Sequence, residues 1–150
     1  MQAILIEKLR SYIVQNNPDV MLRLQEDFSL TRYLEQKFQN VQPLLENLLA
    51  ENKPQYIIEE LCLNDLTKDL RPSKFNYIRS LLEEEFEQYF ARMKEAGMLT
   101  YEIVNLINSC EPVFEALRFS EENENNGALQ NAIQGTIQQY IEQATESASG

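Results

Sequence analysis

The chain has 150 residues, a formal net charge of −11, two cysteines and no histidine or tryptophan. Without imidazole there is no general base near neutral pH of the usual kind, no histidine metal ligand and no Glu-x-x-His partner for a di-iron bundle, and two thiols are too few for a disulfide scaffold. Hydrophobic residues at 43% suffice for a core at this length, while four Gly and five Pro leave little material for a strand-and-turn architecture. The composition predicts an all-α, single-domain protein over residues 1–145, an irregular bundle of about six or seven helices, with a flexible tail at 146–150.

In chain order, Leu5, Leu9, Tyr12 and Ile13 take the spacing of a first helix that stops at Asn16-Asn17-Pro18. Asn17 is placed to cap a short second helix, with Pro18 in its first turn and Val20, Met21 and Leu24 on its apolar face. Ser29 opens a longer helix carrying Tyr33, Leu34, Phe38 and Val41. Pro43 predicts a kink or restart near Asn40, because its ring displaces an amide and a carbonyl; Leu44, Leu45, Leu48 and Leu49 continue the face.

Lys53-Pro54 marks the next start, with a stripe of Tyr56, Ile57, Leu61 and Cys62. After Arg71-Pro72-Ser73 comes the clearest helical pattern, Phe75, Ile78, Leu82, Phe86, Tyr89, Phe90 and Met93, capped by Ser73 and ended by Gly97. It is expected to form one helix at the centre of the core. Thr100 is placed to cap a helix burying Ile103, Leu106, Ile107 and Cys110, with Pro112 forcing a kink before Val113, Phe114 and Leu117. Residues 119–127, rich in Glu and Asn, read as a loop or mobile excursion, followed by a helix with Leu129, Ile133, Ile137, Tyr140 and Ile141.

Within this pattern, Leu9-Arg10-Ser11-Tyr12-Ile13 with Asn17-Pro18, Ser73-Lys74-Phe75 with Glu85-Phe86, Cys110-Glu111-Pro112-Val113-Phe114, and Gly135-Thr136-Ile137 with Tyr140-Ile141-Glu142 stand out. Together they resemble a small uncharacterised helical domain family of Bacteroidetes, often encoded in conjugative or other mobile elements. The resemblance implies an all-helical fold and a mobile-element context; it brings no activity, substrate or catalytic residue.

Charge is distributed unevenly. Residues 1–94 hold 15 acidic and 12 basic side chains, whereas residues 95–150 hold nine acidic ones and only Arg118. Such a surface repels phosphate, and the densest basic group, Lys68, Arg71, Lys74 and Arg79, is diluted by Asp65 and Asp69, so direct nucleic-acid binding is not expected. No run approaches the roughly 20 apolar residues that cross a bilayer. Glu7, Lys8 and Arg10 break up the first helix as a signal peptide would not, and both cysteines read as reduced core residues of a cytoplasmic protein.

Catalytic candidates reduce to carboxylates and a thiol. Glu83, Glu84, Glu85 and Glu87 read as a solvated helix face, because neighbouring helical residues diverge and a hard cation needs several converging oxygens. Cys110 lacks a base or cationic neighbour to activate it. No nucleophile elbow, phosphate loop or dinucleotide-binding glycine pattern occurs, so no catalytic, cofactor or metal residue is assigned.

The last helix carries a small-residue strip of Ala128, Ala132, Gly135 and Thr136 beside Gln130, Gln134 and Gln138, which predicts close packing, first of all against a helix of the same chain. The expected function is a noncatalytic protein-interaction module that docks a protein partner, another copy included, through Glu111, Glu121, Glu122, Glu124, Gln130, Gln134 and Gln138. The rival readings are an acidic mimic of nucleic acid, with carboxylates spaced like phosphates, and a hydrolase, with carboxylates converging in a pocket.

Overall fold

In the computed structural model, the backbone is described for residues 1–149 and side chains for residues 1–145, so the tail expected at 146–150 lies outside the fully described residues. Among the described residues the protein is all-helical, with eight α-helices and one 3-10 turn. Two compact units divide at the Arg71-Pro72 break: unit 1, Met1–Arg71, and unit 2, Pro72–Gly150. Buried apolar residues gather in two clusters, one in each unit, rather than around one central helix.

Unit 1 contains α1 (Gln2–Asn16), α2 (Pro18–Glu26), α3 (Leu30–Ala50), α4 (Gln55–Leu66) and a 3-10 turn at Lys68–Leu70. Leu5, Leu9 and Ile13 of α1 are wholly buried against Leu34, Phe38, Val41, Leu45 and Leu48 of α3 and Ile58, Cys62 and Leu66 of α4. The inward face of α4 differs from the expected one: Tyr56 and Leu61 face solvent, and Ile58 and Leu66 are inside with Cys62. Apolar residues lie all around α4, so spacing alone does not select the buried face.

Asn17 separates α1 from α2, but its side chain caps neither. Its Nδ2 donates to the Leu70 carbonyl at 3.2 Å and ties the α1–α2 corner to the 3-10 turn. Pro43 does not restart the helix: α3 is one helix from Leu30 to Ala50 with the proline inside it. Pro43 and Gln39, whose carbonyl would have met the missing amide, are both exposed, so water satisfies what the ladder loses.

Unit 2 contains α5 (Lys74–Glu85), α6 (Glu87–Glu95), α7 (Leu99–Ala116) and α8 (Gly127–Ser149). Ser73 caps α5 as expected, its Oγ accepting from the Asn76 amide at 3.0 Å. The predicted single helix of residues 74–95 is broken at Phe86 (φ −136°, ψ 51°), which is half-buried and not part of a continuous buried stripe. This break raises the helix count to eight.

Pro112 leaves α7 intact for the same reason as Pro43 in α3: it and Asn108 are both exposed. The α7 helix begins at Leu99, with Met98 rather than Thr100 at the cap position. Leu129, Ile133 and Ile137 of α8 pack on the core built by Phe75, Ile78, Leu82, Ile103, Leu106, Ile107 and Phe114.

Candidate functional site

The surface anticipated from sequence lies in unit 2, on the α7–α8 connection and α8. The connection is the loop expected there, built as a hydrogen-bonded turn. Asn123 holds it: Oδ1 accepts from the Ser120 amide at 2.7 Å, while Nδ2 donates to the carbonyls of Leu117 at 2.8 Å and Arg118 at 2.9 Å. Phe119 anchors its start, with ring centroids 5.0 Å from Tyr77 and 4.7 Å from Phe114. Asn126 closes its end by accepting from the amides of Ala128 at 2.9 Å and Leu129 at 3.1 Å, which caps α8.

On this frame Glu121 and Glu122 project into solvent and Glu124 is half-buried. Burial pushes the Tyr77 hydroxyl up, and the Glu124 carboxylate adds to the shift in the same direction. The seventh residue of the expected surface is engaged elsewhere: Glu111 Oε1 lies 2.6 Å from Lys74 Nζ, an ion pair joining α7 to the first turn of α5. Lys74 also sits over the Phe114 ring at 5.4 Å.

Gln130, Gln134 and Gln138 share a face of α8 at four-residue spacing. The first two are half-buried beside the Leu129, Ile133 and Ile137 stripe; Gln138 is exposed and donates to Glu142 at 3.0 Å. The close helix contact expected at Gly135 is not made among the described residues. A Cβ built there would meet no atom within 4 Å, because Gly135 lies two residues beyond Ile133 and therefore on nearly the opposite side of the helix. From Ala128 to Gln139 α8 carries no charged side chain.

A second arrangement was not anticipated. The Tyr89 hydroxyl of α6 and the Tyr140 hydroxyl of α8 both donate to Glu102 Oε2 of α7, each at 2.8 Å, so one carboxylate ties three helices together. Burial first, and then the bond to Glu102, push both hydroxyls above their ordinary value, Tyr89 the further. The available signal was Tyr89 and Tyr140 at the polar margin of apolar stripes, where a buried ring needs a partner for its hydroxyl.

Beside this tie a shallow cleft opens at the α5–α6 break, lined by Glu84, Glu85, Glu87, Tyr89, Arg92 and Gln138 among others. Its three glutamates are exposed, and among the described residues no three acidic or thiol side chains gather as a metal ion requires. Cys110 is fully buried, and its thiol is pushed up to about 12, by burial and then by Glu111. The four basic residues of the densest patch are each engaged locally: Lys68 with Asp65, Arg71 with the Asn64 carbonyl, Lys74 with Glu111, and Arg79 with Glu83. No helix among the described residues is long and apolar enough to cross a membrane.

No family model, curated protein or solved structure matches the chain.

Proposed function

We propose that the protein is a noncatalytic protein-interaction module, and that its docking surface combines the ordered acidic turn at Glu121, Glu122 and Glu124 with the uncharged face of α8. The observation that carries this reading is the construction of the turn. Four hydrogen bonds made by one asparagine side chain, two accepted and two donated, with a cap and an aromatic anchor, build the turn that carries the exposed Glu121 and Glu122 and the half-buried Glu124. Charges on a rigid frame steer a complementary partner without an ordering cost on binding.

Unit 2 contributes an unbalanced field for such steering, with 13 acidic side chains against Lys74, Arg79, Arg92, Lys94 and Arg118. Next to the turn, the α8 face from Ala128 to Gln139 has no charge to desolvate, and open Gly135 leaves room for a close backbone approach. The partner suited to this surface is a basic protein with a slender, apolar or small-residue element. A mobile-element setting belongs to the same proposal, supported by the resemblance of the sequence motifs.

The test compares the parent with the Glu121→Gln, Glu122→Gln, Glu124→Gln triple variant in affinity purification from the native organism, followed by association kinetics with the recovered partner at two salt concentrations. The variant should fold like the parent and associate more slowly at low salt, with the difference closing at high salt. Equal rates and equal salt dependence would reduce the turn to a solubilising connector.

A further inference from the structure

The break at Phe86 occurs where the local sequence opposes one. From Leu81 to Glu95 there is no Gly, Pro or β-branched residue, and Leu, Glu, Gln, Arg, Met and Lys favour a continuous helix. Sharp interruptions normally follow Pro, Gly or a bulged turn, and neither of those residues is present here. The apolar positions Phe75, Ile78, Leu82, Phe86, Tyr89, Phe90 and Met93 also keep one helical phase through the break. Local preference and tertiary structure therefore disagree at this point.

Contacts across the break hold the bent form. Arg79 and Phe90 would be separated by roughly 16 Å along a continuous helix. In the structure the Arg79 guanidinium carbon lies 5.4 Å from the centre of the Phe90 ring. Tyr89 is held to Glu102 of α7, and Tyr89 and Phe90 are buried in the unit 2 core. A straight Lys74–Glu95 helix would have to give up the Arg79–Phe90 stack.

Straightening within one molecule would carry α6 away from α5 and open the cluster that Phe75, Ile78 and Leu82 of α5 share with Tyr89 and Phe90 of α6 and Ile103 and Ile107 of α7. Each uncovered surface is complementary to the other, so a second copy can restore every lost contact by reciprocal exchange, closed by a two-fold axis. We infer that Phe86 is a hinge, and that unit 2 has a second state in which residues 74–95 form one helix and two copies exchange α6–α8. The bent monomer and the exchanged dimer then differ chiefly at the hinge, which is the condition for a two-state device.

The test uses the full chain, concentrated in moderate urea, returned to native buffer and sized by light scattering. Spin labels at Ser80→Cys and Ala91→Cys, both exposed positions, report the distance across the hinge, with labelled chains diluted into unlabelled ones so that only intrachain distances are read. The dimer should form and its intrachain distance should lengthen towards the separation of eleven residues in a straight helix. Phe86→Ala should raise the dimer fraction. Glu87→Pro should lower it about tenfold while the monomer folds normally, because proline fits the first position of α6 but clashes with the Glu83 carbonyl in a straight helix.

Absence of a dimer from both the parent and Phe86→Ala would overturn the inference. So would a dimer that keeps the monomer's short distance, or a Glu87→Pro protein that dimerises as readily as the parent.

Discussion

Lys74 Nζ and Glu111 Oε1 lie 2.6 Å apart and join the start of α5 to the far end of α7, with both side chains about one-third exposed. Glu111→Gln is expected to cost about 0.5 to 1 kcal/mol, because water screens much of the attraction and the lysine can be rehydrated. Urea denaturation at low and high salt checks this. The cost should shrink with salt, and partner association should be unchanged; a loss of binding equal to that of the triple glutamine variant would return Glu111 to the docking surface.

The shared carboxylate of Glu102 makes a different prediction, in alkaline solution. The folded protein holds the Tyr89 and Tyr140 protons more tightly than the unfolded chain, whose tyrosines titrate near the ordinary value of 10. This contribution is complete below pH 10 and is lost as pH rises above it towards the folded-state values. Tyr89→Phe should cost roughly 1 to 2 kcal/mol at neutral pH and flatten the fall in stability above pH 10. Melting curves of parent and variant from pH 8 to 11 measure both effects, and parallel curves would show that Glu102 does not couple to these hydroxyls.

Phe28 occupies the left-handed position after α2, with φ 55° and 96% of its surface exposed. The Ser29 amide reaches back to the Leu24 carbonyl at 2.9 Å to close the helix end, a geometry in which glycine is least strained. Phe28→Gly should therefore stabilise the protein by about 1 kcal/mol, since strain is relieved and almost no buried contact is lost. A drop in thermal midpoint would mean that the ring makes a contact in solution that outweighs the strain.

The parts of the fold that were legible in the sequence are apolar positions that recur at helical spacing. Leu5, Leu9 and Ile13, then Phe75, Ile78 and Leu82, then Ile103, Leu106, Ile107 and Cys110, and finally Leu129, Ile133 and Ile137 all lie inside as their spacing implied. The inward face of α4 was ambiguous because Tyr56, Ile57, Ile58, Leu61, Cys62, Leu63 and Leu66 surround the helix. Neither Pro43 nor Pro112 starts a new helix: the penalty of an interior proline depends on whether the freed carbonyl meets water, and exposure of that turn is a tertiary property.

The break at Phe86 was illegible for a related reason, since the contacts that enforce it, Arg79 with Phe90 and Tyr89 with Glu102, join residues that sequence spacing does not connect. Of the candidate surface, the acidic turn and the α8 face could be located from composition. Its hydrogen-bonded construction could not, although Asn126 immediately before Gly127-Ala128-Leu129 was a capping signal within a segment read as a loop or mobile excursion.

The two hydrophobic clusters also differ in when they can close during synthesis. Every buried member of the first lies between Leu5 and Leu70, so unit 1 has its whole interior while later residues are still being added. The second cluster needs Leu129, Ile133 and Ile137, which are among the last buried residues made. Until α8 leaves the ribosome the second cluster lacks three of its fully buried residues, and the nascent chain presents a greasy surface to chaperones and proteases. An early stop in the acidic turn would therefore leave a folded first half attached to a persistently sticky second half, whereas a stop near Arg71 would release a first half with its interior complete.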